Sequence, residues 1–162
     1  MSKDLINDQE KERAVILYDS VYGNTKKVAM ALSRGLEAGG FTVDCNSIQN
    51  FNIDDIWAYD VIGLGAPTHF RRPSKQMRRF LSRFKRLLLS GKKGFAFETK
   101  ARIFFAGSAG NRIYQTLERM NVRVLSPVVS GIVLNREGPL EGDTLSKMEK
   151  VGIEISEHYW RL

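Results

Sequence analysis

Residues 20 to 25, Ser20-Val21-Tyr22-Gly23-Asn24-Thr25, place three hydroxyls, one amide and one glycine between an apolar run and a helical pattern. The first N–H groups of a helix have no partner inside it and carry partial positive charge. Neutral donors from Ser20, Tyr22, Thr25 and Asn24, with Gly23 letting the backbone close, would make a cradle for a phosphate without any arginine. A plain N-cap by Asn24 or Thr25 explains part of this pattern but leaves the other hydroxyls without a role. The stretch is not GxxxxGK[ST], and its single glycine excludes GxGxxG. A second candidate, Ala66-Pro67-Thr68-His69-Phe70, offers small residues, a hydroxyl and flat side chains to a planar ring. A third begins at Glu98-Thr99-Lys100, after which the backbone N–H groups of residues 107–110 would meet a polar ring edge. No Asp or Cys neighbours His69 to support a nucleophile or a metal site, so neither catalytic nor metal-binding residues are assigned.

These loops need strands and helices to bring them to one edge. Residues 13–20 and 59–66 read as apolar, fully covered strands, 41–45 and 93–99 as two more, and 122–134 as a fifth with an irregular extension around Pro127. Helical spacing covers 25–38, a segment opened by Pro73-Ser74 and running to Leu88, 111–120, and a closing helix through Leu145, Met148, Gly152, Ile155 and Tyr159. Ile53, Ile56 and Trp57 are expected as packing anchors of a helical turn. Alternation of this kind gives an α/β fold, a parallel sheet wrapped on both faces, with ligands outside the carboxyl ends of its strands. Gly65 and Ala66 are expected to leave backbone open at that edge.

The 162 residues suit one domain, and 43% hydrophobic with 27% charged residues is globular composition. No membrane-length apolar run and no signal-peptide pattern is present, and the one cysteine, Cys45, fits a reducing compartment as a core filler; a cytoplasmic location is expected. Residues 1–12 are polar and expected to be flexible, with the domain over 13–162. The net charge is +7, yet residues 61–97 hold ten basic and no acidic residues, leaving −3 elsewhere. Basic side chains so concentrated suit a solvated helix face or the steering of an acidic redox partner, while nucleic acid is disfavoured because exposed aromatics do not interleave them.

With these motifs in order, the chain resembles the flavodoxin family, in particular its short-chain domains. "SVYGNT" satisfies each position of [ST]-x-[TYS]-G-[NSH]-[TS], "DVIGLGAPTHFRRPS" is similar to the strand and loop beside the flavin, and "GKKGFAFET" with "GSAGNRIYQTLERMNVRVL" is similar to the fourth strand, third loop and following helix. The resemblance implies a flavodoxin-like three-layer sandwich with a five-stranded parallel sheet in the order 2-1-3-4-5. It implies that Ser20, Val21, Tyr22, Gly23, Asn24 and Thr25 hold the phosphate of FMN, that Ala66, Pro67, Thr68, His69 and Phe70 line the ring, and that Glu98, Thr99 and Lys100 begin its third loop. The implied function is FMN-dependent electron transfer with a partner protein. Alternatives are a flavin oxidoreductase acting on a quinone or other small acceptor with NAD(P)H, and an interaction domain with weakened FMN binding. Two features depart from the family: the basic segment, and "RIFFA" (102–106), whose bulk fits either a tighter lid or a filled pocket.

Overall fold

Strand β1 (Arg13–Tyr18) lies in the interior of a parallel sheet because its side chains find apolar cover on both faces. Val15 and Leu17 point to one cluster, and Ala14 and Ile16 point to the other. The computed structural model describes residues 11–69, 71–102 and 107–162. On either side of β1 run β2 (Thr42–Ser47) and β3 (Val61–His69), and β3 in turn pairs with β5 (Lys93–Ala101). The two-residue β4 (Arg72–Pro73) folds back antiparallel on the end of β3.

The fifth sheet position is divided. Strand β6 (Arg123–Val124) pairs with the start of β5, and β7 (Val129–Val133) pairs with its end. Pro127, which has no N–H to donate, sits in the gap between them. With β6 and β7 taken as one interrupted strand and β4 set aside, the sheet has the expected order 2-1-3-4-5.

Helices α1 (Asn24–Ala38) and α4 (Thr144–Trp160) cover one face, where Val28, Leu32, Met148 and Ile155 meet Phe95 and Phe97. Helices α2 (Lys75–Phe84) and α3 (Ala109–Arg119) cover the other with Met77, Phe80, Phe84, Ile113 and Leu117. This is the three-layer sandwich expected of the sequence. Cys45 packs at the margin of the first cluster, and burial pushes its thiol up to about 11, so it stays protonated at neutral pH.

Three expectations are corrected by packing. Trp57 is 51% exposed although Ile53 and Ile56 are buried, because the turn over Ile53–Ala58 is a tight 3₁₀ helix that directs only those two inward. Leu88 is 83% exposed while Leu89 is fully buried, because α2 ends at Phe84 and the helical spacing ends with it. Gly65 and Ala66 are buried and do not open backbone to a ligand. The ring of Phe97 on β5 lies across Gly65, with its Cε2 2.1 Å from where a Cβ would stand. Glycine here admits an aromatic ring, which sets the tight contact between β3 and β5 at the carboxyl edge.

Gly65→Ala is therefore expected to destabilise the fold by about 1–3 kcal/mol through overpacking. Urea denaturation measures this, and an unchanged midpoint would show that Phe97 relaxes freely.

Candidate functional site

Gly23 adopts φ 88°, a left-handed conformation that turns the chain from the end of β1 into α1. Helix α1 thus begins at the carboxyl edge of the sheet with its first N–H groups facing outward. The Gly23 and Lys26 amides donate to Ser20 Oγ at 3.1 and 3.3 Å. Among the described residues, the amides of Asn24 and Thr25 have no side-chain or backbone acceptor. An uncharged hydroxyl therefore holds two amides of the turn and leaves two without an acceptor.

A cavity of about 370 Å³ opens at this point. Its wall includes Ser20, Val21, Tyr22, Asn24 and Thr25 from the first loop, Pro67, Thr68 and His69 from the end of β3, and Thr99 and Lys100 from β5. Thr25 and Thr99 are both buried, with their hydroxyl oxygens 2.7 Å apart. One O–H is spent within that pair, so the other remains for an acceptor in the cavity. Asn24 also serves the fold, since its Nδ2 donates to Glu137 O at 3.1 Å and ties the loop after β7 to α1. Val21 and Tyr22 are exposed at the rim.

Residues 133–136 form a further wall that the sequence reading did not assign. The signal was present. "VLNR" runs from the last residue of β7 into the loop beyond it, and every loop that leaves a strand's carboxyl end in this topology arrives at the same edge. Phe70 and residues 103–106 lie outside the described residues.

Glu98 does not reach the cavity wall; it is a buried anion in a polar clamp. Its Oε2 accepts from Thr68 Oγ1 (2.8 Å), Ser108 Oγ (2.8 Å) and the Gly110 amide (2.9 Å), and its Oε1 accepts from Ser130 Oγ (2.9 Å). Lys100 Nζ stands 3.3 Å from Oε1, so the lysine at the cavity wall belongs to an ion pair. The Ala109 amide donates to Thr68 Oγ1, and the Asn111 amide to Ser108 Oγ. The N–H groups of 109 and 110, expected to meet a ring edge, are consumed inside the protein. Glu98 on β5 thereby joins the end of β3 and the start of β7 to the start of α3.

Burial alone would raise the Glu98 pKa, but the Gly110 amide and the hydroxyls of Ser108, Thr68 and Ser130 outweigh it, and the net direction is down. A carboxyl lowered on folding contributes stability above the ordinary carboxylate range, and that contribution is lost as pH falls through the lowered value. Glu98→Gln should cost about 2 kcal/mol or more at neutral pH by weakening hydrogen bonds to a charged acceptor. It should also flatten the fall of stability below about pH 4.3. Denaturation midpoints against pH check both, and an unaltered acid limb would remove the clamp from the stability of the fold.

The residues fit a phosphorylated ring ligand on three observations: amides without acceptors at a helix start, an uncharged donor set around them, and a cavity within the roughly 300–1,000 Å³ of small-molecule sites. Comparison with known proteins agrees in kind. Residues 15–102 match the family model described as a flavodoxin domain. An NAD(P)H dehydrogenase (quinone) from Cupriavidus metallidurans is 33% identical over 113 residues, 55% of this chain and 57% of that protein, so the chain spans little more than half of that relative. A flavodoxin from the domain Archaea superposes with a TM-score of 0.74 at 24% identity, covering 90% of this chain and 96% of that one. Oxidised flavodoxin 2 from Bacillus cereus gives 0.79 at 21% identity, with 90% and 98% covered. The chain belongs to the flavodoxin family, whose members bind FMN.

Proposed function

We propose that this chain holds FMN with its phosphate on the 20–25 loop and acts as an electron-transfer protein toward an acidic partner. The observation that carries this reading is the start of α1, where among the described residues the Asn24 and Thr25 amides lack an acceptor beside a ligand-sized cavity. When bound, FMN supplies reversible electron transfer through its ring. The chain's own residues bind and orient it. Ser20 turns its O–H toward the phosphate while its oxygen keeps the Gly23 and Lys26 amides in line. The Thr25–Thr99 pair gives one more hydroxyl. Pro67, Thr68 and His69 bound the ring side, and the Glu98–Lys100 pair presents a nearly neutral field there. Val21, Tyr22 and Leu134, exposed around the mouth, limit water at the ring edge while leaving it reachable by a partner.

The exposed stripe of Arg79, Arg83 and Arg86, with Lys75, supplies the charge for steering. Such a field raises encounter rates at low salt and fades with ionic strength. A cytoplasmic setting suits this reading, and no helix among the described residues is long and apolar enough to cross a membrane. The name of the Cupriavidus relative favours a second reading, in which a quinone stacks on the same flavin and receives electrons from NAD(P)H. Rapid NAD(P)H oxidation by the FMN-loaded chain with a quinone and no partner protein would select it.

Ser20→Asp tests the phosphate assignment. Its carboxylate would take over the Gly23 and Lys26 amides, so the thermal midpoint should hold or rise. FMN affinity, read by flavin fluorescence, should fall at least about tenfold through repulsion of the phosphate. Undiminished affinity with an intact fold would contradict the assignment. Neutralising Lys75, Arg79, Arg83 and Arg86 together should slow electron transfer to an acidic partner and flatten its salt dependence; stopped-flow rates unchanged in both respects would return that stripe to solvation alone.

A further inference from the structure

We propose that the groove between α2 and α3 is a second anion site, suited to a small phosphate-bearing ligand with two or more negative charges. Arg78 and Lys85 line it from α2 and its end, Arg112 and Arg119 line it from α3, and Pro73 and Leu81 give it an apolar floor. The spacing is helical on both sides: residues 78, 82 and 85 form one stripe, and 112, 116 and 119 form the other. Four cations thus face one space of about 530 Å³, and no carboxylate lines it. None of the four enters an ion pair among the described residues.

Arg78 adds an independent observation. Its Nε is shielded from solvent and has no hydrogen-bond partner among the described residues. The neighbouring hydroxyls of Ser82 and Thr116 are turned to carbonyls of their own helices, donating to Arg78 O and Arg112 O, and neither accepts from Arg78 Nε among the described residues. A charged donor without an acceptor is costly, and a guanidinium swung onto an oxyanion in the groove would be relieved of that cost.

Phosphate suits the site better than a carboxylate. It carries more charge and more acceptor oxygens, enough to meet the forks of several arginines at once. The volume is that of a small-molecule site and larger than a single ion requires. The groove shares no lining residue with the cavity at the start of α1. It is also separate from the neighbouring stripe of α2, where Arg79 and Arg83 face Gln49 and Phe51. The second site therefore stands whether or not the first holds FMN.

Titration of the ¹⁵N-labelled full chain with inorganic pyrophosphate, in the presence of FMN, tests the proposal. The Arg78 Nε–H resonance should shift and saturate. Affinity should fall tenfold or more in Arg78→Gln and at least threefold in Arg119→Gln, whose exposed side chain makes its variant a control for folding. Shifts that fail to saturate, that are confined to the amides of 20–25, or that survive unchanged in Arg119→Gln would overturn it. Tighter binding of a hexaglutamate peptide than of pyrophosphate at these residues would also overturn it, transferring the groove to an acidic protein partner.

Discussion

Helices α1 and α3 both begin at the carboxyl edge of this sheet, and both present amides that their own turns cannot satisfy. The sequence answers them differently. At α3 the chain supplies its own anion, since the Glu98 carboxylate accepts from the Gly110 amide and the Ser108 hydroxyl deep in the protein. At α1 the Ser20 hydroxyl, which carries no charge, takes the Gly23 and Lys26 amides, and among the described residues those of Asn24 and Thr25 are left unmatched. The first arrangement completes a fold. The second is where the proposed function seats a doubly charged phosphate.

The two helix starts are mechanically related. Glu98 gathers Thr68 from β3, Ser130 from β7 and the first turn of α3 around the end of β5. Those strand ends carry Pro67, Thr68, His69, Thr99 and Lys100, which bound the cavity beyond the α1 loop. Thr25 and Thr99 then bridge the two regions through a single hydrogen bond between hydroxyls. The shape of the cavity thus depends on a buried carboxylate that does not line it.

Much of the fold was legible because its signals are periodic. Fully apolar strands fix a sheet covered on both faces, and the apolar stripe of α2 and the Gly-bounded α1 follow the 3.6 repeat. The loop 20–25 was legible as a donor cluster for the same local reason. What sequence could not give were facts set by contacts between distant segments. The chemistry of Glu98 reads the same whether it faces a ligand or accepts from Thr68, Ser108, Gly110 and Ser130, and only the three-dimensional meeting of those residues decides. Gly65 looked like open backbone and is instead the seat of the Phe97 ring. The exposure of Trp57 and of Leu88 turns on where short helical segments end, which composition leaves open.

The most direct measurement of the central claim is the ratio of FMN to riboflavin affinity, determined by titration calorimetry at low and moderate salt. Two amides and a hydroxyl given to a charged acceptor should favour FMN by about 100-fold or more. That preference should weaken as salt rises without vanishing, because the amide and hydroxyl donors are neutral while Arg136 at the cavity wall is charged. Equal affinity for the two flavins would contradict the account, since it would mean that the start of α1 gives nothing to the phosphate.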